Sequence, residues 1–129
     1  MRRLKTATGT DYDLPRIGIL MEPSAMERFS IETILKNEGF EVYYFENEKE
    51  YHLFRRETPL DITFLLGRTS LEVGAIIGLV PDYKESDFCM IGDEEVAKML
   101  GLGSLVYVLS QDFSREDLIN KVHEIMNKQ

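Results

Sequence analysis

The stretch Asp61-Ile62-Thr63-Phe64-Leu65-Leu66-Gly67 is the most informative part of this chain. Its residues 62–66 form a largely apolar run that predicts a β-strand. An earlier run, Ile17-Gly18-Ile19-Leu20-Met21, has the pattern of a strand buried on both faces of a parallel sheet. Further strands are predicted at residues 40–45, 88–91 and 105–109, which gives five strands in all.

A helix is predicted after each strand. Four of the helices start with a serine, asparagine or threonine followed three positions later by an acidic residue, which is the spacing of an N-terminal helix cap. These pairs are Ser24 and Glu27, Asn47 and Glu50, Thr69 and Glu72, and Ser114 and Asp117. The fourth helix, at residues 94–100, is short. The alternation predicts an α/β fold, a doubly wound five-stranded parallel sheet, over residues 16–129, with residues 1–15 as a polar N-terminal arm.

The composition is that of one ordinary globular domain, and it argues against several functions. A net charge of -8 over 129 residues disfavours a nucleic-acid partner, because phosphate binding needs a local excess of lysine and arginine. No stretch approaches the ~20 apolar residues of a membrane span. A single cysteine, Cys89, in an apolar run and the lack of a secretory signal predict a cytoplasmic protein. His52 and His123 have no partners at ligand spacing, so no metal and no cofactor is indicated.

Three stretches of the chain carry a resemblance to a known family. They are residues 37–42 (Asn-Glu-Gly-Phe-Glu-Val), residues 59–66 (Pro-Leu-Asp-Ile-Thr-Phe-Leu-Leu) and residues 109–118 (Leu-Ser-Gln-Asp-Phe-Ser-Arg-Glu-Asp-Leu). In this order and spacing they resemble the response-regulator receiver domain, also called the CheY-like domain, which has a flavodoxin-like fold. The resemblance extends from Arg16 to the C-terminus.

The resemblance implies a phosphorylation site at the carboxyl ends of the strands. Receivers place there an acidic pair that holds Mg²⁺, an aspartate that accepts phosphate, a serine or threonine, and a lysine. In this chain these places fall on Glu22-Pro23, Leu66, Gly92 and Gln111. A switching aromatic residue is replaced by Val108. The resemblance therefore implies a degenerate receiver, a pseudo-receiver that is not an enzyme.

Two aspartates deserve consideration as alternative phosphate acceptors. Asp61 lies at the opposite end of its strand from the expected site, and Asp93 is better interpreted as a residue at a helix N-terminus. We therefore predict that neither accepts phosphate.

Two functions follow from this interpretation. The first is a signalling module that acts by contact with an unknown protein partner or as a homodimer, since the sequence ends at Gln129 without an output domain, unless that domain was removed. Met26 and Phe29, which point away from the core face of the first helix, and Tyr107 are candidate contact residues. Met26 and Phe29 are equally well explained as covered by residues 1–15, and Tyr107 as core packing. The alternative is a flavodoxin-like domain that binds a small molecule or anion near Glu22, Arg68, Thr69 and Gln111.

Overall fold

The computed structural model describes residues 15–102 and 105–127. The elements alternate as predicted: β1 Arg16–Leu20, α1 Met26–Asn37, β2 Glu41–Phe45, α2 Glu48–Arg55, β3 Ile62–Gly67, α3 Ser70–Leu79, β4 Asp87–Gly92, α4 Glu94–Met99, β5 Tyr107–Leu109 and α5 Arg115–Met126. A 3₁₀ turn, Val80–Asp82, follows α3 and contains Pro81. The predicted N-terminal arm, residues 1–15, lies outside the described residues except for Pro15.

The five strands form one parallel sheet in the order β2-β1-β3-β4-β5. Helices cover both faces, which confirms the predicted doubly wound fold. Neighbouring residues of β3 serve opposite faces: Leu66 packs in the core beneath α1 and α5, whereas Leu65 packs in the core beneath α2, α3 and α4. No helix in the described part of the chain is long and apolar enough to cross a membrane.

Three of the four predicted helix caps form. The Asn47 side chain accepts a hydrogen bond from the Glu50 amide, and complete capping boxes join Thr69 to Glu72 and Ser114 to Asp117. These bonds satisfy backbone donors that the first helical turn leaves free.

The predicted cap at Ser24 is wrong. A turn closed by a hydrogen bond from the Ala25 amide to the Glu22 carbonyl, with Pro23 as its second residue, moves the start of α1 past Ser24. The Ser24 hydroxyl donates instead to the Glu22 carboxylate, at 2.8 Å. Ala25 becomes the N-cap and makes no side-chain bond to the helix.

The last strand is shorter than predicted. The amides of Leu105 and Val106 both donate to the Leu102 carbonyl, so they cannot pair with β4, and β5 begins only at Tyr107. The predicted brevity of the fourth helix is confirmed, because α4 has six residues.

Candidate functional site

The carboxyl ends of β1, β3 and β4 meet at one edge of the sheet, where the resemblance places the phosphorylation site. Leu66, at the place of the phosphate acceptor, is 5% exposed and packs in the core beneath α1 and α5. Glu22, at the place of the acidic pair, is exposed and accepts the Ser24 hydroxyl. The carboxylate and the leucine thus lie at the expected edge, but only the carboxylate is polar.

Two glycines end the neighbouring strands at this edge. Gly67 and Gly92 are paired in register across β3 and β4. A Cβ atom at Gly92 would lie 2.7 Å from the Gly67 carbonyl oxygen, and one at Gly67 would lie 2.2 Å from Sδ of Met90. Backbone and Met90 therefore fill the space into which a serine or threonine side chain at residue 92 would have to extend.

Gln111 stands at the place of the receiver lysine, after β5, and it is exposed. It borders a shallow cavity of about 290 Å³ together with residues of α1 and the loop before α5, including Met26, Glu27 and Phe113. Val108, at the place of the switching aromatic residue, is half-buried against the core beneath α2, α3 and α4. Neither side chain can supply a positive charge to the edge.

Arg68, two residues after Leu66, is the cation nearest to the mapped site along the chain. Its guanidinium forms ion pairs with two carboxylates. Its guanidinium lies 3.2 Å from the Glu27 carboxylate and 3.5 Å from that of Glu72. Thr69 uses its hydroxyl to cap α3. An anion bound by Arg68, Thr69, Glu22 and Gln111 would have to compete with these carboxylates, so the contacts disfavour the anion site that the sequence predicts.

Mg²⁺, which the receiver resemblance implies, does not fit the residues present. Mg²⁺ is bound through carboxylates together with phosphate and water. Among the described residues, no three histidine, cysteine, aspartate or glutamate side chains are grouped so that they could hold a metal ion. At this edge Glu22 stands beside Pro23 and Leu66, neither of which supplies a ligand oxygen from its side chain.

The other singled-out polar residues have structural contacts. Asp61 accepts a hydrogen bond from the Arg16 amide at 2.8 Å, at the amino end of the sheet. Asp93 caps α4 by accepting the Glu95 amide. His52 is half-buried with a ring nitrogen in hydrogen-bond contact with the Tyr83 hydroxyl, and His123 is exposed on α5. Cys89 is fully buried, and desolvation raises the pKa of its thiol to about 12.

The candidate contact residues divide into two groups. Met26 and Phe29 on α1 are 82% and 64% exposed, and the alternative that residues 1–15 cover them lies outside the described residues except for Pro15. Tyr107 is half-buried and packs against the core beneath α1 and α5, which is the core-packing alternative. Further exposed apolar side chains that the sequence pattern did not single out surround the C-terminal end of α4: Val96, Met99, Leu100 and Leu105.

A cleft missed by the sequence analysis opens beside the mapped site. Its volume is about 450 Å³, and it lies between the carboxyl ends of β1 and β3, the start of α2 and one side of α3. Leu65 and Leu66 line its floor, and Glu22, Glu46 and Glu48 stand on its rim. The apolar floor belongs to buried strands and the rim to loops, so no short motif links them in the sequence.

Comparisons with solved structures agree with this architecture. A response regulator from Thermotoga maritima superposes with a TM-score of 0.73 at 16% identity, covering 89% of this chain and 99% of that protein. The chemotaxis protein CheY4 of Vibrio cholerae superposes with a TM-score of 0.68 at 14% identity, covering 88% of this chain and 99% of that protein. A CheY-like receiver domain of Methanospirillum hungatei JF-1 superposes with a TM-score of 0.64 at 20% identity, covering 86% of this chain and 94% of that protein. The protein therefore has the fold of response-regulator receiver domains.

Sequence comparison adds nothing to this result. No protein-family model matches the chain, and no curated protein matches it either. What the protein does must therefore be argued from its own residues.

Proposed function

We propose that the protein is a pseudo-receiver, a signalling module that has the receiver fold, takes no phosphate, catalyses no reaction and acts by protein–protein contact. The observation that carries the proposal is the packing at the end of β3 and β4. There, Leu66 takes the acceptor place, and the close approach of Gly67 and Gly92 fills the place of the hydroxyl.

Phosphoryl transfer depends on positive charge placed around the transferred group. The mapped site has glutamine and not lysine at residue 111, and the residue that follows Glu22 in the sequence, Pro23, has no carboxylate with which to hold a metal ion. Arg68 is paired with Glu27 and Glu72. These three features support a site that is inert toward phosphate donors.

Exposed apolar side chains support a role in protein contact, because scattered exposed leucines are ordinary but a group of them favours an interface. Met99 is 84% exposed at the end of α4, and Leu100 and Leu105, which follow it in the chain, are 53% and 47% exposed. We call Val96, Met99, Leu100 and Leu105 the α4 patch. Together with Met26 and Phe29 on α1, it gives the protein two candidate surfaces for a partner or a second copy.

The first experiment adds acetyl phosphate, and separately beryllofluoride, to the purified protein with Mg²⁺. Intact mass and amide NMR shifts are the readouts. We expect no mass gain and no shifts at Glu22, Leu66 and Gln111. A phosphoryl adduct, or saturable shifts at these three residues, would sink the proposal and direct attention to Asp93 as an acceptor.

The second experiment tests the α4 patch. Sedimentation velocity over a range of concentrations compares the wild type with the double variant Met99→Gln/Leu105→Gln. If the patch mediates self-association, the wild type gains mass with concentration and the variant does not. Leu53→Gln on α2, where Leu53 is 51% exposed, is the matched control and leaves the behaviour unchanged. Self-association that persists in the double variant would exclude the patch as the dimer interface.

A further inference from the structure

We propose that the cleft between α2 and α3 binds a small amphipathic organic cation, an ammonium group carried on an apolar body. The proposal is independent of the proposed signalling function. It rests on the position of the cleft, the chemistry of its lining and the charge of its rim.

The position is one at which the fold accommodates ligands. In a parallel sheet of order β2-β1-β3-β4-β5, the chain switches direction between β1 and β3, and the loops that follow these strands diverge and leave a crevice. The cleft lies at this place. Its volume of about 450 Å³ falls within the range of small-molecule sites and is far above that of a single water molecule.

The lining selects an apolar body. The floor and walls are made by leucine and isoleucine residues of β1, β3 and α3, namely Leu20, Leu65, Leu66, Leu71, Ile76 and Leu79. Leu71 is 84% exposed at the mouth, so it would lose contact with water when a ligand enters. Burial of such surface favours binding by about 25 cal/mol per Å² of apolar area.

The rim selects a positive charge. Glu46 makes no side-chain hydrogen bond or ion pair within the described residues, and Glu22 is bonded only to the neutral Ser24 hydroxyl. Glu48 has a contact with the His52 ring at the limit of ion-pair distance, 4.0 Å, and none with a lysine or arginine among the described residues. Glu72 is the one rim carboxylate paired with a permanent cation, Arg68. The rim therefore keeps a surplus of negative charge.

The N-terminal ends of α2 and α3, which lie at the cleft, do not reverse its preference for a positive charge. Free amides at a helix N-terminus attract anions, but here side chains of the protein already accept several of the amides at the two helix starts. Asn47 accepts the Glu50 amide at the start of α2, and the Glu72 carboxylate accepts the amides of Arg68 and Thr69 at the start of α3. A metal ion is also disfavoured, since the described residues hold no convergent group of three ligands.

The test uses three probes with the same phenyl group and different head groups: 2-phenylethylammonium, 2-phenylethanol and 3-phenylpropionate. Amide NMR titration of the full chain follows the signals of Leu65, Leu66, Leu71 and Ile76. We expect saturable shifts with the ammonium at a dissociation constant of about a millimolar. The alcohol should bind more weakly, and the carboxylate should leave the signals unmoved.

Two variants test the charged rim and the apolar lining of the cleft separately. Glu46→Gln/Glu48→Gln should weaken ammonium binding about fivefold or more, because two exposed carboxylates are lost. Ala75→Phe, in which the new ring fills the cleft from an exposed position of α3, should abolish binding while the spectrum stays dispersed. Glu57→Gln/Glu116→Gln removes two exposed carboxylates that do not line the cleft, so it is the charge-matched control and should leave the affinity unchanged.

The proposal is overturned by any of three results: no saturable shift at the cleft with the ammonium, equal shifts with the alcohol, or unchanged affinity in Glu46→Gln/Glu48→Gln. The reaction with acetyl phosphate and the self-association through the α4 patch are both measured on the same protein in the absence of the three probes. Failure here therefore leaves the proposed signalling function standing, and the reverse also holds.

Discussion

Gly92 and Gly67 approach so closely at the ends of β4 and β3 that a Cβ atom on Gly92 would lie 2.7 Å from the Gly67 carbonyl oxygen. The contact is with backbone, which cannot move away as the end of a flexible side chain can. A side chain at residue 92, where the resemblance to receivers implies a serine or threonine, would therefore require the strands to shift. The packing disfavours a hydroxyl at this place independently of the other residue types at the strand ends.

Gly92→Thr should therefore destabilise the protein. We expect a loss of about 1–3 kcal/mol in the free energy of unfolding, because the strands must separate to admit the side chain. Urea denaturation of the two proteins measures it. Gly74→Ala is the control: a Cβ at Gly74 on α3 meets nothing within 4 Å, so this variant should gain about 0.5–1 kcal/mol. Equal stability of Gly92→Thr and the wild type would show that the strands accommodate the side chain.

Leu66→Asp, which puts an aspartate where the resemblance to receivers implies the phosphate acceptor, should destabilise the fold without creating a phosphorylation site. Leu66 is 5% exposed, and a carboxylate there would be buried without a cation, at a cost of about 3–5 kcal/mol. The pKa of such a carboxyl is raised above its unfolded value of about 3.9. Relative to Leu66→Asn, the aspartate variant should be equally stable near pH 3 and lose stability as the pH rises above about 4. A pH-independent difference between the two variants would contradict a buried acid.

Arg55 should contribute strongly to stability. Its side chain is 2% exposed and donates to the Tyr51 hydroxyl and the Ser86 hydroxyl, both at 2.7 Å. Its guanidinium also lies 4.3 Å from the centre of the Tyr83 ring. Arg55→Lys keeps the charge but loses the planar contacts, so we expect a loss of about 1–3 kcal/mol in urea denaturation.

The neighbouring Arg56 offers the matched control for this prediction. Arg56 is exposed, and Arg56→Lys should change the free energy of unfolding by less than about 0.5 kcal/mol. Comparable effects of the two substitutions would mean that Arg55 is not the bridge between α2 and the segment before β4.

Cys89 should be unreactive in the native protein and should make stability fall at high pH. Burial raises the pKa of its thiol from 9.0 to about 12. The native state therefore holds the proton more tightly than the unfolded state, so the contribution to stability is complete below pH 9 and is lost as the pH rises toward about 12. Compared with Cys89→Ala, the wild type should lose up to about 1.4 kcal/mol per pH unit in this range.

Iodoacetamide labelling at pH 8 gives an independent check of the same burial. The native thiol should stay unmodified, and the thiol in urea should react readily. Labelling of the native protein at the rate of the unfolded one would place Cys89 within reach of solvent, contrary to its full burial.

The helices and strands were predictable because their signals are local. Thr69 and Ser114 cap their helices with the acidic residue three positions on, and Leu118 and Val122 of α5 are buried as their spacing predicts. The predicted cap at Ser24 was wrong because a turn closed by Glu22 and Ala25 includes Ser24 and moves the start of the helix past it. The start of β5 was misjudged because the amides of Leu105 and Val106 bond to Leu102, which apolarity alone does not indicate.

The order of strands and helices along the chain, the residues at the carboxyl ends of the strands and the lack of an aspartate at residue 66 can all be read from the sequence. These depend on near neighbours along the chain, whose hydrophobic periodicity and hydrogen bonds act over a few residues. The tertiary structure alone decided that Gly67 and Gly92 touch, that Arg68 is paired with Glu27, and that leucines and glutamates from three separate segments form one cleft. Those relationships join residues far apart in the chain, and their distances are fixed only when the sheet and helices pack together.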